Sequence, residues 1–108
     1  MDKLFLGEQL KKITEKRKEM CEKLYQANLS IDVAKDQQIN KKQGLIRDGL
    51  IIGKNEAERE ACSAALMAEE DALVKKFNRE LALLICEATK TNYDWDWISQ
   101  QIKIEALV

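Results

Sequence analysis

The sequence predicts an all-α protein: a long antiparallel helical hairpin of the coiled-coil kind, with a short C-terminal helix, expected to dimerise into a helical bundle. Three observations predict it. The 108 residues contain no proline and four glycines, with 34 % charged and 45 % apolar residues, a composition of long charged helices rather than of sheets. Apolar residues recur at alternating spacings of three and four on both sides of residue 50. Between those two stretches, Asp48–Arg59 reads as the stop signal of one helix followed at once by the start signal of another. A chain of this length is one helical domain over residues 1–108.

The first helix is expected over about residues 4–48. Its seam is Leu6, Leu10, Ile13, Met20, Leu24, Ala27, Ile31 and Ala34, with Arg17 and Gln38 as polar members of the same register. Lys and Glu fill the other positions, and Glu19–Lys23 has the favourable i,i+4 spacing.

The turn is expected at 49–54. Gly49 takes the left-handed conformation that ends a helix, with Leu45 and Leu50 at the positions whose contact usually accompanies such an ending. Gly53 precedes Asn55, a good N-cap, and Glu58 follows at capping-box spacing.

The second helix is expected over about 55–89, with Cys62, Leu66, Glu69, Leu73, Phe77, Leu81, Leu84 and Ala88 on its seam. Thr89–Asn92 is read as a loop. A short third helix, about 94–106, places Trp95, Ile98 and Ile102 on one face, where they are expected to cover Leu4, Phe5, Leu6 and Leu10. With the turn near residue 51, antiparallel pairing sets Arg17 opposite residue 85 or so, and Glu69 opposite about residue 33. The two charges do not meet, so each is expected at an edge or against another chain, where a polar seam residue sets oligomer register.

The segment Gly53-Lys54-Asn55-Glu56-Ala57-Glu58-Arg59, with Asp48-Gly49 before it, resembles a turn in small helical-hairpin proteins encoded by phages and prophages. In those, an Asp-Gly-φ-φ-Gly-Lys-Asn-Glu-x-x-Arg turn joins a charged helix to an Ala- and Leu-rich one. The similarity covers about residues 45–72. It implies a viral or mobile-element origin and no particular activity.

Composition narrows the chemistry. The chain has no histidine, which removes the commonest general base and most zinc and haem ligand sets. Cys21, Cys62 and Cys86 are odd in number and widely spaced, which suits free thiols in a reducing cytoplasm. Cys62 and Cys21 are read as small core residues. Gly49–Asn55 looks like a phosphate-binding loop but has three residues between its glycines and no Ser or Thr after Lys54. No catalytic residue, cofactor site or metal site is expected, and no stretch is long and apolar enough to span a membrane. Asp2, Lys3, Glu8, Lys11 and Lys12 interrupt any apolar run that would make a secretory signal.

Charge is divided unevenly. Residues 1–54 hold 12 Lys and Arg against 8 Asp and Glu, and residues 55–108 hold 6 against 11. Two helices of opposite bias complement each other when folded together. The basic cluster Lys11, Lys12, Lys16, Arg17, Lys18 and Lys23 has Glu15, Glu19 and Glu22 laced through it, unlike a nucleic-acid stripe.

Tyr93, Trp95 and Trp97 form the candidate protein-binding site, because Tyr and Trp dominate interface hot spots. The expected function is therefore a non-enzymatic interaction protein, either an assembly or accessory factor or an inhibitor of a host protein. The alternative is a nucleic-acid-associated protein using the Lys11–Lys23 face; a pocket for a small ligand between subunits is the third reading.

Overall fold

A computed structural model describes residues 3–107. It contains three helices and, among the described residues, no strand: α1 (Lys3–Arg47), α2 (Glu56–Leu66) and α3 (Ala68–Leu107). Two units share these elements. One comprises residues 1–26 with 81–108, the other residues 27–80. In each, α1 packs antiparallel to α3, so the helical hairpin read from the spacing is present.

In the first unit the α1 seam is the expected one. Leu6 and Met20 are buried, and Leu10, Ile13, Arg17 and Leu24 are half-buried. Facing them, Ile98 is buried and Leu81, Leu84, Ala88, Trp95 and Ile102 are half-buried, in the same alternation of threes and fours. One side-chain layer here is polar. Thr91 is buried and donates its hydroxyl to the Glu87 carbonyl, and Arg17 Nε donates to Asn92 Oδ1 at 2.9 Å.

Three expectations change in this unit. The loop at Thr89–Asn92 is absent, and α3 runs through it to Leu107, so there is no separate C-terminal helix. Thr89 and Thr91 turn their hydroxyls back onto the carbonyls of Ile85 and Glu87, which satisfies within the helix the groups that would otherwise favour a loop. The Asn92 side-chain oxygen, within the same stretch, accepts from Arg17. Leu4 and Phe5 stay exposed at 77 % and 50 %, because only Leu6 and Leu10 fall on the seam.

The second unit holds the turn. Leu50 N–H donates to the Leu45 carbonyl and Gly49 N–H to the Ile46 carbonyl, the paired bonds of a Schellman ending. Gly49 has φ 68°, where a Cβ is disfavoured. Asn55 Oδ1 accepts from Glu58 N–H at 2.9 Å, and the Glu58 carboxylate reaches back one residue past the N-cap, to Lys54 N–H at 2.7 Å. Gly53 is required by space: a Cβ there would lie 2.6 Å from Arg59 N and 2.7 Å from Glu58 Cβ. The four turn residues predicted from sequence therefore all have a structural task.

Beyond the turn the seam differs from expectation by one residue. Met67 is buried and breaks the helix at φ −97° and ψ 3°. From it the half-buried positions run through Glu70, Leu73, Val74 and Phe77, so the expected Leu73 and Phe77 are kept while Leu66 and Glu69 fall outside. Leu66 is 39 % exposed and Glu69 is exposed. Adjacent apolar residues at Leu66-Met67 and Leu73-Val74 make either register plausible from sequence.

The pairing is also shifted by one heptad. Arg17 meets Asn92 rather than a residue near 85, and Gln38 Nε2 meets Asp71 Oδ1 at 2.6 Å. Cys62 Sγ donates to the Leu50 carbonyl at 3.6 Å, so the first residues of α2 lie beyond the end of α1, beside the connection. The reversal is therefore centred about one helical turn later along the chain than a turn near residue 51 requires.

The Lys41 ammonium pairs with Glu70 at 2.8 Å. That hydrogen bond, with the positive charge behind it, holds the Glu70 carboxyl below its ordinary 4.5. A lowered folded-state value means that the ionised pair stabilises the fold above the ordinary carboxylate range and is lost as pH falls. Comparing wild type with Glu70→Gln by urea denaturation is expected to show a stability gap at pH 7 that closes progressively below pH 4.5.

Candidate protein-interaction face

The three aromatic residues singled out from sequence lie on one continuous helix, where their spacing decides their roles. Trp95 belongs to the inner seam. Its indole Nε1 donates to Thr14 Oγ1 at 3.3 Å, and the Arg17 guanidinium lies 4.6 Å from the centre of its ring. Thr14 in turn donates to the Leu10 carbonyl at 2.7 Å. Trp95 is thus an anchor inside the first unit, not part of an open binding surface.

Tyr93 and Trp97 point the other way. They are 71 % and 50 % exposed. Two residues along an α-helix turn the side chain through about 200°, so each outward position follows an inner seam position by two. Applied along α3, this offset generates a second seam. Leu83, Cys86 and Lys90 follow Leu81, Leu84 and Ala88; Tyr93 and Trp97 follow Thr91 and Trp95; Gln100, Ile104 and Leu107 follow Ile98, Ile102 and Glu105. All eight are exposed, with Leu83 at 67 %, Ile104 at 52 % and Leu107 at 88 %. Six of the eight are apolar or aromatic, an unusual density for a solvated helix face.

Sequence reasoning found the middle of this stripe and missed its ends. The signal was present in the alternation of threes and fours from Leu83 to Leu107. It was hidden because residues 89–92 were read as a loop, which cuts the stripe in two.

Of the two charges expected at an edge or against another chain, Arg17 is half-buried and Glu69 is exposed. Arg17 finds Asn92 and Trp95 within its own unit, and Glu69 is off the seam, where Glu70 takes its place. On α1 in the same unit, Glu8, Lys11, Glu15, Lys18 and Glu22 alternate in sign along one exposed line. That pattern is a solvated helix face and not a strip of one sign.

The thiols of Cys21 and Cys86 are exposed, and Cys62 is half-buried. Cys21 is therefore not a core residue, since its position falls one past the Met20 seam. No group of three or more metal-ligating side chains gathers among the described residues. No helix there is long and apolar enough to cross a membrane. A concavity of about 560 Å³ lies in the second unit between Lys42, Ile46, Arg59, Glu60 and Asp71. Its charges are of both signs and solvated, which defines no ligand class.

Fold and surface together describe a helical hairpin whose second long helix carries an outward heptad stripe. No family model, curated protein or solved structure matches the chain.

Proposed function

We propose that this is a non-enzymatic helical interaction protein that acts by binding another protein, with the outer stripe of α3 around Tyr93 and Trp97 as its working surface. The observation that carries the reading is that stripe. Apolar residues at heptad spacing on an exposed helix face are what a second helix needs in order to pack. The resemblance of the Gly49–Arg59 turn to phage hairpin proteins supports a phage or mobile-element origin. On that origin the protein works in the host cytoplasm as an assembly or accessory factor, or as an inhibitor of a host protein.

The nucleic-acid alternative is weakened by two observations. Arg17, the arginine in the Lys11–Lys23 cluster, is directed into the seam against Asn92 and Trp95. The remaining lysines share their face with Glu15, Glu19 and Glu22.

The test is affinity capture from host-cell lysate with wild type beside Trp97→Ala. Loss of the captured protein with Trp97→Ala, at a binding strength little changed by salt, is the expected result. Binding that survives Trp97→Ala and falls steeply with salt would instead favour the nucleic-acid reading.

A further inference from the structure

Resting on the outer stripe as the binding surface, we infer that its occupant in the isolated protein is a second copy of the same stripe, packed antiparallel across a two-fold axis level with Trp95. Surface area is the first argument. The chain exposes 8243 Å², whereas a folded monomer of 12.4 kDa exposes about 6,100 Å². The surplus, about 2,100 Å², exceeds the roughly 800 Å² that each partner buries in a standard interface.

The order of residues along the stripe sets the direction of pairing. Antiparallel self-pairing sets Leu83 against Leu107 of the partner subunit, Cys86 against Ile104 of the partner subunit, and Tyr93 against Trp97 of the partner subunit. Lys90 meets Gln100 of the partner subunit, so the polar members face each other and every apolar residue meets another. The parallel arrangement places Lys90 against Lys90 of the partner subunit in the middle of the seam, where two ammonium groups would be desolvated together. The cost of the antiparallel arrangement falls on Asp94 and Asp96, because Asp94 meets Asp96 of the partner subunit on each side of the axis. Both are exposed, on a rim where salt screens them.

Cysteine chemistry separates the arrangements. With Cys21→Ser and Cys62→Ser in every chain, one variant keeps Cys86 and a second carries Cys86→Ser with Ile104→Cys. Under mild oxidation the mixture is expected to yield a disulfide-linked heterodimer, while neither variant alone cross-links. Self-cross-linking of the Cys86 chain would overturn the antiparallel pairing. So would sedimentation of the wild-type protein as a monomer at about 100-fold above the concentration used for capture. If the protein is monomeric and Trp97→Ala still abolishes capture, this inference falls and the interaction reading stands. If both the oligomeric state and capture ignore Trp97, both fall. Trp97→Asp, at a position half exposed in the single chain, is expected to give a helical monomer; a helical dimer would contradict the proposal.

Discussion

Ile98→Ala is expected to destabilise the fold by about 2–5 kcal/mol, the range for truncating a buried Ile to Ala, while the neighbouring Trp97→Ala changes it by about 0.5 kcal/mol or less in the monomer. The two residues are adjacent in sequence and differ by about 100° around α3. Ile98 is 7 % exposed and lies on the seam with Leu10, whereas Trp97 is 50 % exposed. Truncating Ile98 leaves a cavity between two helices that have few other fully buried side chains nearby to collapse into it. Urea denaturation at low protein concentration, where association does not contribute, measures both. Equal effects of the two substitutions would mean that the inner and outer faces of α3 are not distinct.

Gly53→Ala is expected to cost about 1–3 kcal/mol, the usual range for forcing a methyl group into filled space. The added carbon would sit 2.6 Å from Arg59 N and 2.8 Å from the Glu58 carbonyl carbon. Those atoms are backbone at the start of α2 and cannot swing aside as a flexible side chain would. Relief requires opening the segment that holds the Lys54–Glu58 and Asn55–Glu58 hydrogen bonds, so the N-cap is lost together with the close approach. Gly49→Ala meets no neighbour and is strained only by its φ of 68°, which costs about 1–2 kcal/mol. Thermal unfolding followed by circular dichroism should therefore rank Gly53→Ala below Gly49→Ala in midpoint. The reverse order would place the constraint on backbone angle alone.

The parts of this fold that were legible in the sequence were those written in local chemistry. The cap at Asn55, the left-handed Gly49 and the seam from Leu6 to Gln38 each follow from residue type and spacing over a few positions. What was not legible was pairing over long distance. The one-heptad shift depends on how far α2 projects past the end of α1, and no residue encodes that length. The slip from Glu69 to Glu70 arose where two apolar residues stand side by side, so that only the partner helix selects between them. Thr89–Asn92 misled for a different reason. Weak helix formers there are held in α3 by tertiary burial of Thr91 and by the Arg17–Asn92 bond, which outweigh intrinsic propensity. Of the candidate site, Tyr93 and Trp97 were picked out by residue type, while Trp95 was read both as part of it and as an inner-face residue with Ile98 and Ile102; it lies against Thr14 and Arg17. The expected helix over 94–106 already puts the two tryptophans on different faces; what the loop reading hid is that the Trp97 face continues back to Leu83.

From Leu83 to Leu107, about three and a half heptads, α3 has two opposed seams, one filled by α1 and one left for another chain. Acrylamide quenching of single-tryptophan variants tests this most directly, with Trp97→Phe reporting on Trp95 and Trp95→Phe reporting on Trp97. In dilute protein Trp95 is expected to be shielded and Trp97 accessible, and only Trp97 should become shielded as the protein associates with itself or with a captured partner. A Trp97 that stays accessible throughout, or a Trp95 that responds in its place, would contradict it.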